Sequence, residues 1–473
     1  MKKIANKIFT ILTVLAVGFM LAACSSDDDD EVSKSTPPVS KARITRIDTN
    51  YTDISDNMNV GIPVTLTYPT STLVGMRFVY PYKDPKGKSV MLSGMICIPK
   101  ALYNSTDKKA QGIMLYNHYT IMTNEECPSY GTVEGKGPIG IKEISSLGMK
   151  VTIMSGVPST IGIEDHKIIT VAADYYGFGE TSNSVQYYCE GDYNARASLE
   201  ALKAAKTLLK EKGYSWGDYL INTGYSQGGQ TSIAVQKLVD QGEYDEKISA
   251  TFAGSGPYDL TATYKSYLDV KDQERDLAVV VYPVISYNVH KSLGMKYTEL
   301  FVPKLEEKID EWFLSKKFTR EEIDQKLKDA GMGKLENAFS TELLDETSNM
   351  SQKVTNSLDT VKLTEGWTPN KNDRIYLYYS EADTLVPKVN AEEFVKFLKE
   401  KEFEIVEKET DTLGMLAKIA ADGTGDPEAR PAPGKVIVRK SPLDDATAHE
   451  SGGAFWIMDV ISELKQEFLA GAE

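Results

Sequence analysis

The chain has 473 residues, with 53 Lys and Arg against 68 Asp and Glu, and a formal net charge of −15. That balance argues against nucleic acid as a partner, because phosphate recognition needs a basic face. About 450 residues would remain after removal of an N-terminal export segment, enough for one large domain with insertions or for two domains. Beyond Cys24 only Cys97, Cys127 and Cys189 remain, an odd number that cannot form a complete disulfide framework. One Cys127–Cys189 bridge or buried free thiols are both compatible with this spacing. No Cys/His cluster has metal-ligand spacing, so neither a metal nor another cofactor is expected.

The N-terminus begins with Lys2, Lys3 and Lys7, followed by an apolar run from Ile8 to Leu21 and small residues ending at Cys24. The run is too short for a confident membrane span and reads as an export signal over residues 1–23. "LAAC" resembles a bacterial lipobox, which implies lipidation of Cys24 and membrane attachment through that anchor only. Residues 24–45, with "SSDDDDEVSKSTPPVSK" directly after Cys24, lack the apolar content to bury a core and read as a solvated tether. The acidic run resembles the surface-export signal of Bacteroidetes lipoproteins. It implies an exported chain, lipid-anchored to the outer membrane at the cell surface. A periplasm-facing lipoprotein with a polar spacer is the alternative.

Residues 46–473 read as the folded domain. "VTLTYPTS", "LVGMRFVYPY" and "SVMLSGMICIPK" are strands separated by turn signals such as Asp84-Pro85-Lys86-Gly87, and are expected to form an antiparallel meander. Then the pattern changes. "GIMLYNH" and "KIITVAADYYGFG" are apolar strands, with Asp174 closing a turn after the second. "ARASLEALKAAKTLLKEKGY" is an amphipathic helix, with Leu199, Leu202, Ala205, Leu208 and Leu209 at helical spacing and Gly213 as its stop. "DYLINTGYS" is a strand, "GGQTSIAVQKLVDQG" a helix, and "KISATFAGSG" and "DRIYLYYSEAD" are further buried-type strands. Such alternation implies a mainly parallel central sheet with helices on both faces, and reactive groups at the strands' carboxyl ends.

Between the last two strands lies a segment of different character, about 261–370, which reads as a helical insertion over the strand ends; a separate domain is the alternative. Its helices are expected in "DQERDLAVVVYPVISYNVHKSL", "KYTELFVPKLEEKIDEWFLSKK", "TREEIDQKLKDAGM" and "KLENAFSTELLDETSN". Tyr282, Tyr287, Trp312 and Phe313 either form the insertion's own core or line an acyl pocket beneath a lid.

Chemistry centres on Gly224-Tyr225-Ser226-Gln227-Gly228. The pattern Gly-x-Ser-x-Gly arises by chance roughly 0.15 times in a chain of this length, so its setting must carry the weight. Strand, sharp turn and helix are what a nucleophile elbow requires, and small flanking residues permit close backbone approach. A serine hydroxyl is a poor nucleophile until a base takes its proton. The chain has four histidines, His118, His166, His290 and His449. His449 fits best. It follows the short strand Val436 to Arg439 in a polar loop, and two glycines after it give that loop freedom to turn. Asp383, just beyond the strand of "RIYLYYSEADTLVP", is the candidate to orient the imidazole, with Glu381 as competitor.

"GYSQGG", "ADYYGFGET", "AGSGPYDL", "SEADTLVP" and "AHESGG" together resemble the α/β-hydrolase superfamily, most closely its secretory-lipase and esterase branch. The order Ser, Asp, His along the chain is the one that superfamily uses. The resemblance implies an α/β-hydrolase fold, ester hydrolysis, and the roles of nucleophile, acid and base for Ser226, Asp383 and His449. It also implies an oxyanion hole built from backbone N–H groups, one from Gln227 and one from the loop after "GIMLY". That loop departs from the superfamily's common His-Gly: it reads Asn117-His118-Tyr119-Thr120, so Tyr119 and Thr120 are both candidate donors and His118 is structural. The implied partner is a small-molecule or polysaccharide-linked ester. Two other readings stay open at this level: a serine peptidase of the same fold, and a non-catalytic surface lipoprotein that binds glycans or other ligands.

Overall fold

Apolar runs that alternate with amphipathic helices bury both of their faces, and here they pair side by side into one large sheet. The computed structural model describes residues 41–49, 57–59, 64–67, 73–130, 148–153, 158–162, 166–409, 433–441 and 448–469. The export signal, Cys24 and most of the stretch read as tether lie outside the described residues. In chain order the strands are β1 (Arg43–Asp48), β2 (Asn57–Asn59), β3 (Val64–Thr67), β4 (Leu73–Lys83), β5 (Ser89–Pro99), β6 (Lys109–Asn117), β7 (Gly148–Ile153), β8 (Pro158–Gly162), β9 (Ile168–Ala173), β10 (Ser215–Tyr225), β11 (Ala250–Gly254), β12 (Ile375–Ser380), β13 (Glu404–Glu409) and β14 (Lys435–Ser441). Ten of them form one sheet in the order β1-β4-β5-β9-β6-β10-β11-β12-β14-β13. From β9 to β13 every neighbouring pair is parallel, while β1, β4 and β5 make an antiparallel margin.

Alternate residues of a strand face opposite ways, and β6 illustrates the result. Ile113 and Leu115 join the core beneath the helices Gly191–Glu211, Gln227–Asp240 and Val389–Glu400. Met114 and Tyr116 join the opposite core, covered by the helix Ala448–Leu469 through Phe455, Trp456 and Ile461. Both faces are therefore dry, as a parallel sheet requires.

The insertion builds its own core. Tyr282, Tyr287, Trp312 and Phe313 are all buried within it, together with Leu300, Phe339 and Leu358. Its main helices are Leu260–Leu268, Ala278–His290, Arg320–Asp329 and Asn349–Asp359. The buried ammonium of Lys316 ties it to the loop after β9, donating to the carbonyls of Gly177, Ser182 and Ser184.

Several expectations need correction. β3, the "VTLT" run, is not part of the meander; it pairs with β2 and β7 in a separate four-stranded sheet completed by β8. β4 pairs instead with β1, whose Arg43 and exposed alternation hide it from a hydrophobicity reading. β1 also begins inside the stretch read as tether. The segment around Pro303 is not one helix but three short turns; Pro303 opens the second, and its missing N–H and ring end the helix before it. "KLENAFSTELLDETSN" is helical only over Leu335–Ala338, and an unread helix at Asn349–Asp359 starts where the Ser348 side chain caps Ser351 N–H. Of the two states left open for the cysteines, the structure has the second: Cys97, Cys127 and Cys189 are buried free thiols.

One half-buried acid pair outside the site gives a stability prediction. Asp373 faces Asp240, whose carboxylate also accepts from Trp367 Nε1 at 2.9 Å. Burial and the neighbouring Asp240 raise the Asp373 pKa far above its ordinary 3.8. The folded state thus holds a proton that the unfolded chain has released, so this group's contribution falls as pH rises from about 4 through neutrality. Asp373→Asn should raise stability at pH 8 by about 1 kcal/mol and leave it nearly unchanged at pH 4. Urea midpoints at the two pH values test this; equal gains at both would refute it.

Candidate active site

β9 lies on one side of β6 and β10 on the other, so the chain reverses its direction of progress across the sheet at β6. Loops leaving the carboxyl ends of such neighbours part and open a crevice. Ser226 stands there, between β10 and the helix Gln227–Asp240, with φ 55° and ψ −123°. A residue with a side chain pays about 1–3 kcal/mol for such a conformation. The surroundings hold it in place. Ser226 N–H donates to Gly254 O at 2.8 Å, and the helix packs so closely that a Cβ on Gly228 would lie 2.0 Å from Asn117 O. Glycine at 228 is thus a steric requirement of the turn.

His449 meets Ser226 across 223 residues of chain and Asp383 across 66. His449 Nε2 is 2.9 Å from Ser226 Oγ, and His449 Nδ1 is 2.6 Å from Asp383 Oδ2. All three are buried. Asp383 follows β12, and its second oxygen accepts from the N–H groups of Leu385 at 2.9 Å and Val386 at 2.7 Å. The carboxylate is therefore aimed as well as placed. Glu381 is turned away, in an ion pair with Lys440 at 2.5 Å.

The other histidines are engaged elsewhere. His118 is buried with its ring stacked on Tyr175 at 4.0 Å. Its nitrogens lie 2.7 Å from Tyr119 O and 3.3 Å from Asp174 O. Two carbonyls favour the charged ring, but burial outweighs them and lowers its pKa to about 4. It is neutral near neutrality and structural. His290 stacks on Tyr187 at 3.6 Å. His166 precedes β9, at the opposite end of the strands from Ser226.

Asp174 does more than close a turn. Fully buried, it accepts from Ser93 Oγ at 2.5 Å and from Ser129 N–H at 2.7 Å, fastening the loops behind the crevice. The glycines after His449 are also not a loop. His449 lies in the first turn of the helix Ala448–Leu469, with Gly452 and Gly453 inside it. A Cβ on Gly452 would sit 2.7 Å from Tyr225 Oη, so glycine there admits the tyrosine. Tyr225 Oη donates to His449 O at 2.6 Å. Burial, then the nearby Asp383, raises this phenol's pKa well above the ordinary value, so it keeps its proton. The sequence carries no signal for this contact, because Tyr225 occupies a variable position of the motif.

The crevice continues into a cavity of about 210 Å³. Tyr119, Thr120 and Gln227 line it beside Ser226 and His449, so the residues read as oxyanion donors share one chamber with the hydroxyl. Gln227 opens its helix, so its N–H has no intrahelical acceptor. The remaining wall is mostly apolar: Leu260, Val279 and Pro283 from the insertion side, Leu385, Val386 and Ile457 from the sheet side.

No protein-family model matches this chain, and no curated protein matches it. Solved structures do. An esterase, LipA of Xanthomonas oryzae, described as rice cell wall degrading, superposes with a TM-score of 0.60 at 15% identity, covering 87% of this chain and 92% of its own. A candidate hydrolase from Legionella pneumophila gives a TM-score of 0.59 at 19% identity over 86% of this chain and 90% of its own. The fold is the α/β-hydrolase fold. The strand–turn–helix at Ser226 and the loops after β12 and β14 stand at the carboxyl-end crevice of that fold. At these identities the likeness speaks for architecture alone.

Proposed function

We propose that this chain is a serine hydrolase that cleaves carboxylic esters through an acyl-enzyme, with Ser226 as nucleophile, His449 as base and Asp383 as orienting acid. The observation that carries the reading is the unbroken hydrogen-bond chain from Asp383 through His449 to Ser226. A neutral imidazole that donates Nδ1–H to Asp383 presents the Nε2 lone pair to the serine hydroxyl. Ser226 Oγ then attacks the ester carbonyl as its proton passes to Nε2. The Gln227 N–H and an N–H from Tyr119 or Thr120 receive the oxyanion. The C–O bond to the alcohol breaks as His449 returns the proton to it. Water, deprotonated by the same nitrogen, releases the acid and restores the serine.

The apolar wall supports an apolar acyl group. At about 210 Å³ the cavity is smaller than the roughly 300–1,000 Å³ typical of drug-sized ligand pockets, which favours short chains. The esterase activity described for the Xanthomonas oryzae protein suits this reading. The proposal extends to the N-terminus: Cys24 carries lipid and holds the enzyme at the outer membrane, facing outward.

A fluorophosphonate probe tests the nucleophile. It should label the folded protein at Ser226, located by peptide mapping, and heat-denatured protein should not react. Absence of labelling in the folded protein would favour a binding role. A p-nitrophenyl ester series should give highest kcat/KM at acyl groups up to about six carbons and fall about tenfold or more for dodecanoate. Equal or better turnover of aminoacyl-anilides would redirect the assignment to a peptidase.

A further inference from the structure

One charged cluster in the cavity wall takes no part in the steps above. Arg320, at the start of the insertion helix Arg320–Asp329, lines the cavity together with Glu321 and Glu450. Its side chain is only 10% exposed, yet four carboxylates surround it. Nη2 donates to Glu450 Oε1 at 2.8 Å and Glu321 Oε1 at 2.9 Å. Nη1 donates to Asp324 Oδ2 at 3.1 Å and lies 3.6 Å from Asp276 Oδ2. Asp324 in turn accepts the Ala278 N–H at 2.7 Å, which opens the helix carrying Val279 and Pro283. Glu450 directly follows His449 in the first turn of its helix. One guanidinium therefore links the cavity roof to the turn that presents the imidazole.

We infer that Arg320 is a positioning residue for His449, bracing the histidine-bearing turn against the insertion. The inference rests on the ester-hydrolase reading. A planar five-donor guanidinium can serve several carboxylates at fixed angles, which an ammonium cannot. When it is removed, Glu450 loses its anchor, so the turn carrying His449 gains freedom and the Nε2–Oγ alignment suffers.

The test measures kcat and KM of p-nitrophenyl acetate hydrolysis for wild type, Arg320→Gln, Arg320→Lys and Glu450→Gln. Arg320→Gln should lower kcat about tenfold with KM changed less than about twofold. Arg320→Lys should recover only part of kcat, since one ammonium cannot hold both Glu450 and Asp324. Glu450→Gln should lower kcat about threefold or more, again with KM nearly unchanged. A structural role alone would leave kcat of the folded variants unmoved, and kcat within about twofold of wild type in both neutralising variants overturns the inference. If Arg320→Gln does not fold, Glu450→Gln decides alone, because that side chain is 44% exposed and its replacement is isosteric. Fluorophosphonate labelling of wild-type Ser226 separates the failures. No labelling sinks the hydrolase reading, whereas labelling with unmoved kcat sinks only the brace.

Discussion

Ser226→Ala should abolish p-nitrophenyl acetate hydrolysis, lowering kcat roughly 10⁴-fold or more, while the protein stays folded. The size follows from the chemistry: without Oγ no acyl-enzyme forms, and the oxyanion donors can only assist direct attack by water. Stability should hardly change. The backbone is kept at φ 55° by groups other than the hydroxyl: Gly254 O receives the Ser226 N–H, and the Gly228–Asn117 contact fixes the helix start. Alanine meets the same strain as serine. Ser226→Gly would relieve it and should unfold later in urea, though equally inactive. Turnover by Ser226→Ala within about tenfold of wild type would remove the nucleophile from the mechanism.

Much of this site was legible because its chemistry restricts residue types at fixed spacing. A tight elbow admits only small neighbours, so Gly224, Gly228 and Gly229 announce it. The buried strand before Asp383 shows where an acid can leave the sheet, and two residues of slack separate it from the exposed Glu381. His449 was found by chain order and by the short strand before it. The parallel sheet was legible for the same reason as its burial: strands covered on both faces are uninterrupted apolar runs.

What stayed hidden depended on contacts rather than patterns. Gly452 and Gly453 read as a flexible loop because glycine is poor in helices. Both lie inside the last helix, and Tyr225 requires glycine at 452, a contact that exists only after β10 and that helix pack together. Arg320 looked like one charge on an amphipathic helix, and nothing local distinguishes it from Lys326 or Lys328. β13 was unread since its "EIVEKE" alternation carries charge on an edge strand, where exposed charge discourages pairing with other chains. The insertion's interrupted helices follow Pro303 and a core of its own, neither of which preserves a helical period.

Asp383→Asn should be nearly as damaging as loss of the serine, and its geometry predicts why. Oδ1 accepts two backbone N–H groups, from Leu385 and Val386, and Oδ2 faces His449 Nδ1 at 2.6 Å. An asparagine has one oxygen and one NH₂. The two N–H donors claim the oxygen, because an NH₂ there would leave both donors facing donors in a buried site. The NH₂ must then point at Nδ1 and donate to it. Imidazole answers by carrying its proton on Nε2, where it faces Ser226 Oγ and cannot accept from it. The expected loss is about 10⁴-fold in kcat, with the fold intact and KM little changed. Glu381→Gln, two residues away and outside the hydrogen-bond chain, should retain wild-type kcat. Asp383→Ala, which imposes no tautomer, should fall between the two. Should Asp383→Asn hydrolyse p-nitrophenyl acetate within about tenfold of wild type, the carboxylate would be a structural clasp for the 383–386 turn, and His449 would need no acid to act as base.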